Sequence, residues 1–355
     1  MTALASDSPR TASTTDRRER SAARTGIWAI ALLVVLGLSV VSSVTLGPAA
    51  ITPSEAWGSI LAHLGIGEST LTPLRDGIVW QLRIPRVLAA AAIGAGLAVC
   101  GAIMQATLRN PLADPYLLGL SSGASFGAVL VIVLGFTVAI PVAAFGGALG
   151  ALALTLLLAG ATSRRTTSRT ILAGVAVSAA LGALTSLVIF WSATGDSYRE
   201  ILSWLLGSLA GSTWATTLLA LAAIVLVGVP LMFSAGTLDA FAFGDRAAAS
   251  LGVAVERTRW MLLAATALLT GCLVAVSGSI GFIGLVVPHA VRLSVGARHR
   301  VLLPVSALSG AIVLIWADTL ARTLFDPREL PVGVVTAIIG APLFGLLLLR
   351  SRRVL

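Results

Sequence analysis

Asp318 is the one acidic residue set inside a long apolar run, and Arg322 follows it four residues later. In a helix that spacing places both side chains on one face. An ionisable group inside a membrane helix is costly enough to mark a functional candidate, and a lone carboxylate there is the type that relays protons in ion-coupled carriers. The arginine one turn on offers a structural ion pair instead, near the end of the run, and the spacing favours the pair. Other side chains with chemistry in them are scattered. His63, His289 and His299 share no metal-ligand spacing, and there is no CxxC or HExxH. Cys100 and Cys272 sit in separate apolar runs and read as small hydrophobes rather than a disulfide or metal pair. All 24 basic residues are arginine. Without lysine there is no Walker A phosphate loop and no Schiff-base amine, so hydrolysis of nucleotide through a P-loop and imine catalysis are both excluded. No catalytic residue, metal site or cofactor is expected, and the chain is not expected to be an enzyme.

The framework around these groups is apolar. Of 355 residues, 57% are hydrophobic and only 11% charged, with a mean hydropathy of +0.98; soluble domains carry roughly 25% charge. A spanning helix needs about 20 mainly apolar residues. Such runs fall at about 26–46, 87–108, 115–135, 140–161, 171–193, 213–233, 260–276, 280–293, 301–321 and 332–349, with Ser277-Gly278-Ser279 dividing the seventh from the eighth. The pattern predicts an all-α polytopic membrane protein of about ten transmembrane helices. Residues 1–25 read as a disordered cytoplasmic tail, 26–350 as the membrane domain and 351–355 as a short cytoplasmic end. With the N-terminus inside, eighteen arginines fall in inner segments and six in outer ones. That asymmetry fits the positive-inside rule, sets both termini in the cytoplasm, and explains the net charge of +9 better than nucleic-acid binding does. The longest outer segment, 51–81, contains TPSEAWGSILAHLG, whose proline and acid in a first turn and closing glycine predict a short interfacial helix. Trp57 and Trp80 suit the headgroup layer.

Between the second and third runs stands RNPLADPYLLG. Proline disfavours the α region for the residue before it, so Asn110 before Pro111 should end the second span beside Arg109. Asp114 can cap the third, with Pro115 as its first residue, because proline lacks the amide that would go unpaired there. The result is a stiff turn. Beyond it Gly119, Ser122, Gly123 and Gly127 lie at helical spacing, and Gly123-Ala-Ser-Phe-Gly127 fits the small-xxx-small pattern of close helix packing; a pathway lined by small polar groups is the other reading. In the longest inner connection, about 234–259, Gly244-Asp245 opens an alanine-rich helix that Leu251-Gly252 closes.

Three blocks carry a resemblance: RIPRVLAAAAIGAGLAVCGAIMQATLRNPLADPYLLGLSSGAS, GSIGFIGLVVPHAVRLSVGARHRVLLPVSALSGA and ELPVGVVTAIIGAPLFGLLL. Together they resemble, in order, the signatures of the FecCD/BtuC-like permeases that import iron-siderophores, haem and vitamin B12. The resemblance implies the BtuC-like type II importer fold in a bacterial cytoplasmic (inner) membrane. It implies a pair of permease chains, identical or paralogous, two cytoplasmic ATPase subunits and an extracytoplasmic substrate-binding protein. It assigns ATPase coupling to Gly244, Asp245, Ala248, Leu251 and Gly252, and docking of the binding protein to Arg83, Arg86 and Arg322. His289, within VVPHAVRL, falls in a structural signature rather than at a ligand position. The expected cargo is a ferric siderophore, the family's most populous substrate class, with haem or cobalamin as the alternative. An ion-coupled carrier is a rival, but one intramembrane carboxylate and no evident broken-helix ion site argue against it.

Overall fold

The computed structural model describes residues 14–136, 140–160, 167–192, 194–326 and 328–351, and every regular element among them is helical. The first four helices are α1 (Thr14–Thr45), α2 (Pro53–His63), α3 (Pro73–Thr107) and α4 (Leu120–Val133). Next come α5 (Ile140–Gly160), α6 (Thr167–Ser192), α7 (Gly195–Leu205), α8 (Trp214–Met232), α9 (Ala235–Ala242) and α10 (Asp245–Ser250). The chain closes with α11 (Val255–Ser277), α12 (Ile283–Val295), α13 (His299–Thr323) and α14 (Val332–Ser351). Among the described residues seven helices are long and apolar enough to cross a membrane (α1, α3, α5, α6, α8, α11 and α13), and α4, α12 and α14 are shorter apolar ones. These ten are the spans the hydropathy predicts.

Burial separates centre from rim. In its most apolar stretch α3 is 83% buried, whereas α1 and α6 are only 17% buried. α3 therefore forms the axis of the bundle, with α8, α11, α12 and α13 packed around it. Alanines and glycines make this possible. A Cβ on Gly94 would overlap the carbonyl of Gly310 on α13, and one on Gly101 would overlap the carbonyl of Gly284 on α12. Backbones touch there directly, the arrangement that packs helices when apolar burial in lipid offers no gain.

Three expectations change. α1 begins at Thr14, so residues 14–25, read as part of a disordered tail, continue the first helix; their run of Arg, Glu and Ala has good helix propensity. Residues 1–13 and 352–355 lie outside the described residues. α3 starts far ahead of position 87 and passes through a π-helical stretch, Ile78–Arg83, before its α-helical part. Asp114 and Pro115 open a 3-10 turn, Pro115–Leu118, rather than the third span itself. Gly119, at φ +81°, reverses the chain before α4 can begin at Leu120.

The predicted interfacial helix is α2. The hydroxyl of Thr52 accepts from the Glu55 amide, and the Glu55 carboxylate accepts from the Thr52 amide, a complete capping box. The Thr52 amide, with help from Arg75, holds the Glu55 carboxyl below its ordinary range. Trp57 is exposed, while Trp80 is stacked on His63 at 4.2 Å and tilted against Trp214 at 5.0 Å.

Candidate functional site

Two polar clusters lie along α3, one just past its C-terminal end and the other in its N-terminal half. At one end, Gly244 (φ +94°) lets the chain turn into α10, placing Asp245 in its first turn, where a carboxylate suits the helix dipole. The Asp245 carboxylate accepts from Arg259 of α11 at 2.8 Å and lies 3.5 Å from Arg109, just beyond the end of α3. Arg259 also sits 5.7 Å above the Phe241 ring and 3.8 Å from Glu256. Ala248 is fully buried beneath the loop. α10 ends in a Schellman motif: the Val253 amide donates to the Ala248 carbonyl at 3.1 Å and the Gly252 amide to Ala249 at 2.9 Å. Gly252 takes φ +84°, which glycine adopts without strain. Asp239 of α9 binds both the amide and the ring Nδ1 of His299, at 2.9 and 2.7 Å, tying the loop to the start of α13. The connection is thus fastened to α3, α11 and α13 at once, while Phe243 and Leu251 stand out from it at 78% and 69% exposure. The five residues singled out in the sequence lie together here. Arg259, Asp239 and His299 were missed, since only the folded chain brings them to the loop.

The second cluster holds the three arginines assigned to docking, and within this chain their charges are already engaged. Arg83, Arg86 and Arg322 are only 5%, 9% and 4% exposed, with their charges turned inward. Arg83 donates to the carbonyls of Val44, Thr45 and Ala49 at the end of α1, at 2.8, 3.1 and 2.6 Å. Arg86 meets the Asp318 carboxylate through Nε and Nη2 at 2.9–3.1 Å, and Glu329 through Nη1 at 2.8 Å. Arg322 donates to the Ser43 carbonyl and hydroxyl, and that hydroxyl pairs with Thr319 at 2.7 Å. Asp318 is therefore bridged from another helix. Its i+4 neighbour Arg322, the partner expected from spacing, stands at 4.0 Å. The i+4 rule finds a local partner, but the two-pronged fork of a guanidinium approaching across the helix boundary fits the carboxylate better.

The opening motif holds as a turn. Asn110 Oδ1 accepts from the Leu112 amide at 2.9 Å and Asp114 Oδ1 from the Tyr116 amide at 2.8 Å. The Tyr116 hydroxyl then donates to the Ile280 carbonyl at 3.0 Å and accepts from the Ile280 amide at 3.3 Å, closing the break between α11 and α12. Nearby, the hydroxyls of Ser121 and Ser279 pair at 2.8 Å. Gly123 and Gly127 lie against the backbone of Gly147 and Ala143 on α5, and Gly119 against Val177 on α6. Within this chain the glycines serve packing; Ser122 is half-buried beside them. His289 is buried edge-on to Phe344, 6.5 Å between ring centres, and neither ring nitrogen has a hydrogen-bond partner among the described residues. Cys100 and Cys272 are free. Among the described residues no three His, Cys, Asp or Glu side chains gather as a metal would require.

A bundle of ten apolar helices with a braced loop at one end and an ion-paired mouth at the other is the build of a transporter's membrane subunit. The profile of the FecCD transport family matches residues 32–350, and the chain belongs to that family. It is 43% identical over 301 residues to the vitamin B12 import system permease protein BtuC of Vibrio cholerae, covering 81% of this chain and 89% of that one. It is 41% identical over 281 residues to the hemin transport system permease protein HmuU of Yersinia pestis, covering 77% and 84%. A solved ABC transporter in an inward-facing conformation superposes with a TM-score of 0.80 at 33% identity, over 91% of this chain and 98% of that one. The chain is the permease of an ABC importer and not itself an enzyme, and its class implies an ATPase and a substrate-binding protein as partners.

Proposed function

We propose that this permease carries a metal-centred macrocycle, cobalamin in the first place, across the cytoplasmic membrane. The observation that carries the reading is the 43% identity to a vitamin B12 import permease over most of both chains; the 41% identity to a hemin permease supports haem as the second reading. The ferric siderophore expected from the sequence rests on family frequency alone, and these relatives favour the alternatives. The test is uptake of radiolabelled cyanocobalamin, haem and ferric siderophores by host cells with and without the gene. Loss of cobalamin uptake that the gene restores supports the proposal. Loss confined to haem selects the second reading, and loss confined to a siderophore overturns both.

In this reading two permease chains, identical or paralogous, share one path. The ATPase grips the loop bearing Gly244, Asp245, Ala248, Leu251 and Gly252, with Phe243 and Leu251 as its exposed apolar contacts. The loop's triple fastening supports that assignment, because closure of an ATPase moves only what it holds stiffly. The termini and this loop face the cytoplasm, as the arginine asymmetry indicates. Arg83, Arg86 and Arg322 serve docking of the binding protein by shaping the outer mouth, since their charges are already engaged.

A further inference from the structure

The acceptors that hold Arg83, Arg86 and Arg322 are of two kinds. Arg83 binds backbone carbonyls at the end of α1, and Arg322 binds Ser43, which is 1% exposed. Arg86 commits Nε and Nη2 to Asp318, also 1% exposed. Giving up any of these leaves a buried donor or charge without a partner, which is strongly destabilising. Glu329 is the exception. It lies in the connection between α13 and α14, its side chain is 40% exposed, and its carboxylate meets Arg86 Nη1 at 2.8 Å. Released, it passes into water, and an exposed pair of that kind contributes little.

The surrounding geometry suits exchange. The Arg328 amide donates to the Phe325 carbonyl at 2.8 Å and the Leu330 amide to the Ala321 carbonyl at 2.9 Å, so the backbone is pinned on both sides of Glu329. Its side chain can swing away by rotation about its own bonds while the chain stays in place. The guanidinium it leaves cannot swing. With Nε and Nη2 held by Asp318, Nη1 keeps one direction and presents an aligned donor to any carboxylate. An incoming partner is spared the cost of ordering it. Charge points the same way. Arg83 and Arg322 reach the adjacent residues Val44 and Ser43, and Asp318 stands 4.0 Å from Arg322. One cluster thus holds three guanidinium groups against two carboxylates, a net charge of +1 that becomes +2 without Glu329. Such a field draws an acidic surface.

We propose that Glu329 is an exchangeable stand-in: in the free permease it occupies the Arg86 donor that an acidic side chain of the substrate-binding protein takes on docking. This exchange rests on docking at the three arginines, as proposed above, and adds the group that must leave. The binding protein competes with the permease's own carboxylate for one preset donor.

The test is the affinity of the importer's substrate-binding protein for the intact assembly of permease and ATPase in nanodiscs, at low and at physiological salt. Four forms are compared: wild type, Glu329→Gln, Arg86→Ala with Asp318→Ala, and that pair with Glu329→Gln added. Glu329→Gln leaves the buried pair in place and should dock about three- to fivefold more tightly, the weight of one exposed ion pair, with the gain shrinking as salt rises. Arg86→Ala with Asp318→Ala removes the donor together with its buried acceptor and should weaken docking at least about tenfold. Adding Glu329→Gln to that form should change nothing further. Glu329→Gln docking no more tightly than wild type, while the Arg86 pair still matters, overturns the exchange and leaves docking at the arginines standing. An equal gain from Glu329→Gln with and without Arg86 overturns it too, because the charge of the connection alone then repels the partner. Wild-type affinity in the Arg86→Ala, Asp318→Ala form overturns the exchange and the docking assignment together.

Discussion

At the scale of single residues, the decisive environment is that of Asp318, 1% exposed and forked by Arg86. Removing one member of a buried ion pair leaves the other charge uncompensated and costs about 3–5 kcal/mol. Asp318→Ala should therefore lower the thermal unfolding midpoint of the purified protein sharply, and Arg86→Ala added to it should restore much of the loss. An unaltered midpoint in the single variant would show that the pair is not closed in the membrane. Glu329, the other acceptor on Arg86, has a side chain 40% exposed. Glu329→Gln should cost less than about 1 kcal/mol, since a solvated pair contributes little. The intramembrane acid was legible in the sequence, and so was its structural role. Its partner was not, because Arg86 lies 232 positions away and only the packing of α3 on α13 joins them.

At the scale of elements, local chemistry predicts well where a signal is local. The capping box of α2, the glycine-bounded α10 and the break at Ser277-Gly278-Ser279 are written in a few adjacent residues each, and the structure has all three. The start of α4 is misread because Asp114-Pro115 is a good helix opening whether one turn follows or many; the positive φ of Gly119 decides, and glycine alone does not announce it. Two variants test the elements. Gly252→Pro cannot adopt φ +84° and removes the amide that donates to Ala249, so it dissolves the end of α10. It should leave membrane insertion intact and abolish ATP-driven uptake; normal uptake would remove the loop from the coupling mechanism. Tyr116→Phe strips both hydrogen bonds from Ile280 in a buried break between helices. The expected loss is about 1–3 kcal/mol, the cost of unsatisfied buried groups, measured as a lower unfolding midpoint; an unchanged midpoint would mean that water substitutes for the hydroxyl.

For the whole molecule, the number of spans was legible because hydropathy and arginine placement are summed over many residues. The order of helices around α3 was not, because apolar sequence says little about which apolar surface it meets. Orientation is checked with a version lacking both native cysteines, through Cys100→Ala and Cys272→Ala. A membrane-impermeant maleimide applied to intact cells should label Glu68→Cys and spare Ser250→Cys; the reverse pattern would invert the topology. The glycine contacts set a further expectation: Gly101→Ala, against the Gly284 carbonyl, should prevent accumulation of folded protein, whereas Gly150→Ala, with nothing within 4 Å, should be silent in an expression assay.

α3 carries the Arg86 bridge in its N-terminal half and is followed at its C-terminal end by Arg109 on Asp245. α13 carries His299 on Asp239 at its start and Asp318 near its C-terminal end. The two helices are locked together at Gly94 and Gly310. Whatever free energy an event at the Arg86 cluster transmits along these rods to the loop, an event at the loop must return in equal measure, because coupling between two binding sites is reciprocal. If a loaded binding protein tightens the grip of the ATPase by some factor, the nucleotide-driven state of the ATPase tightens the grip on the binding protein by that same factor, and a single pair of titrations measures both.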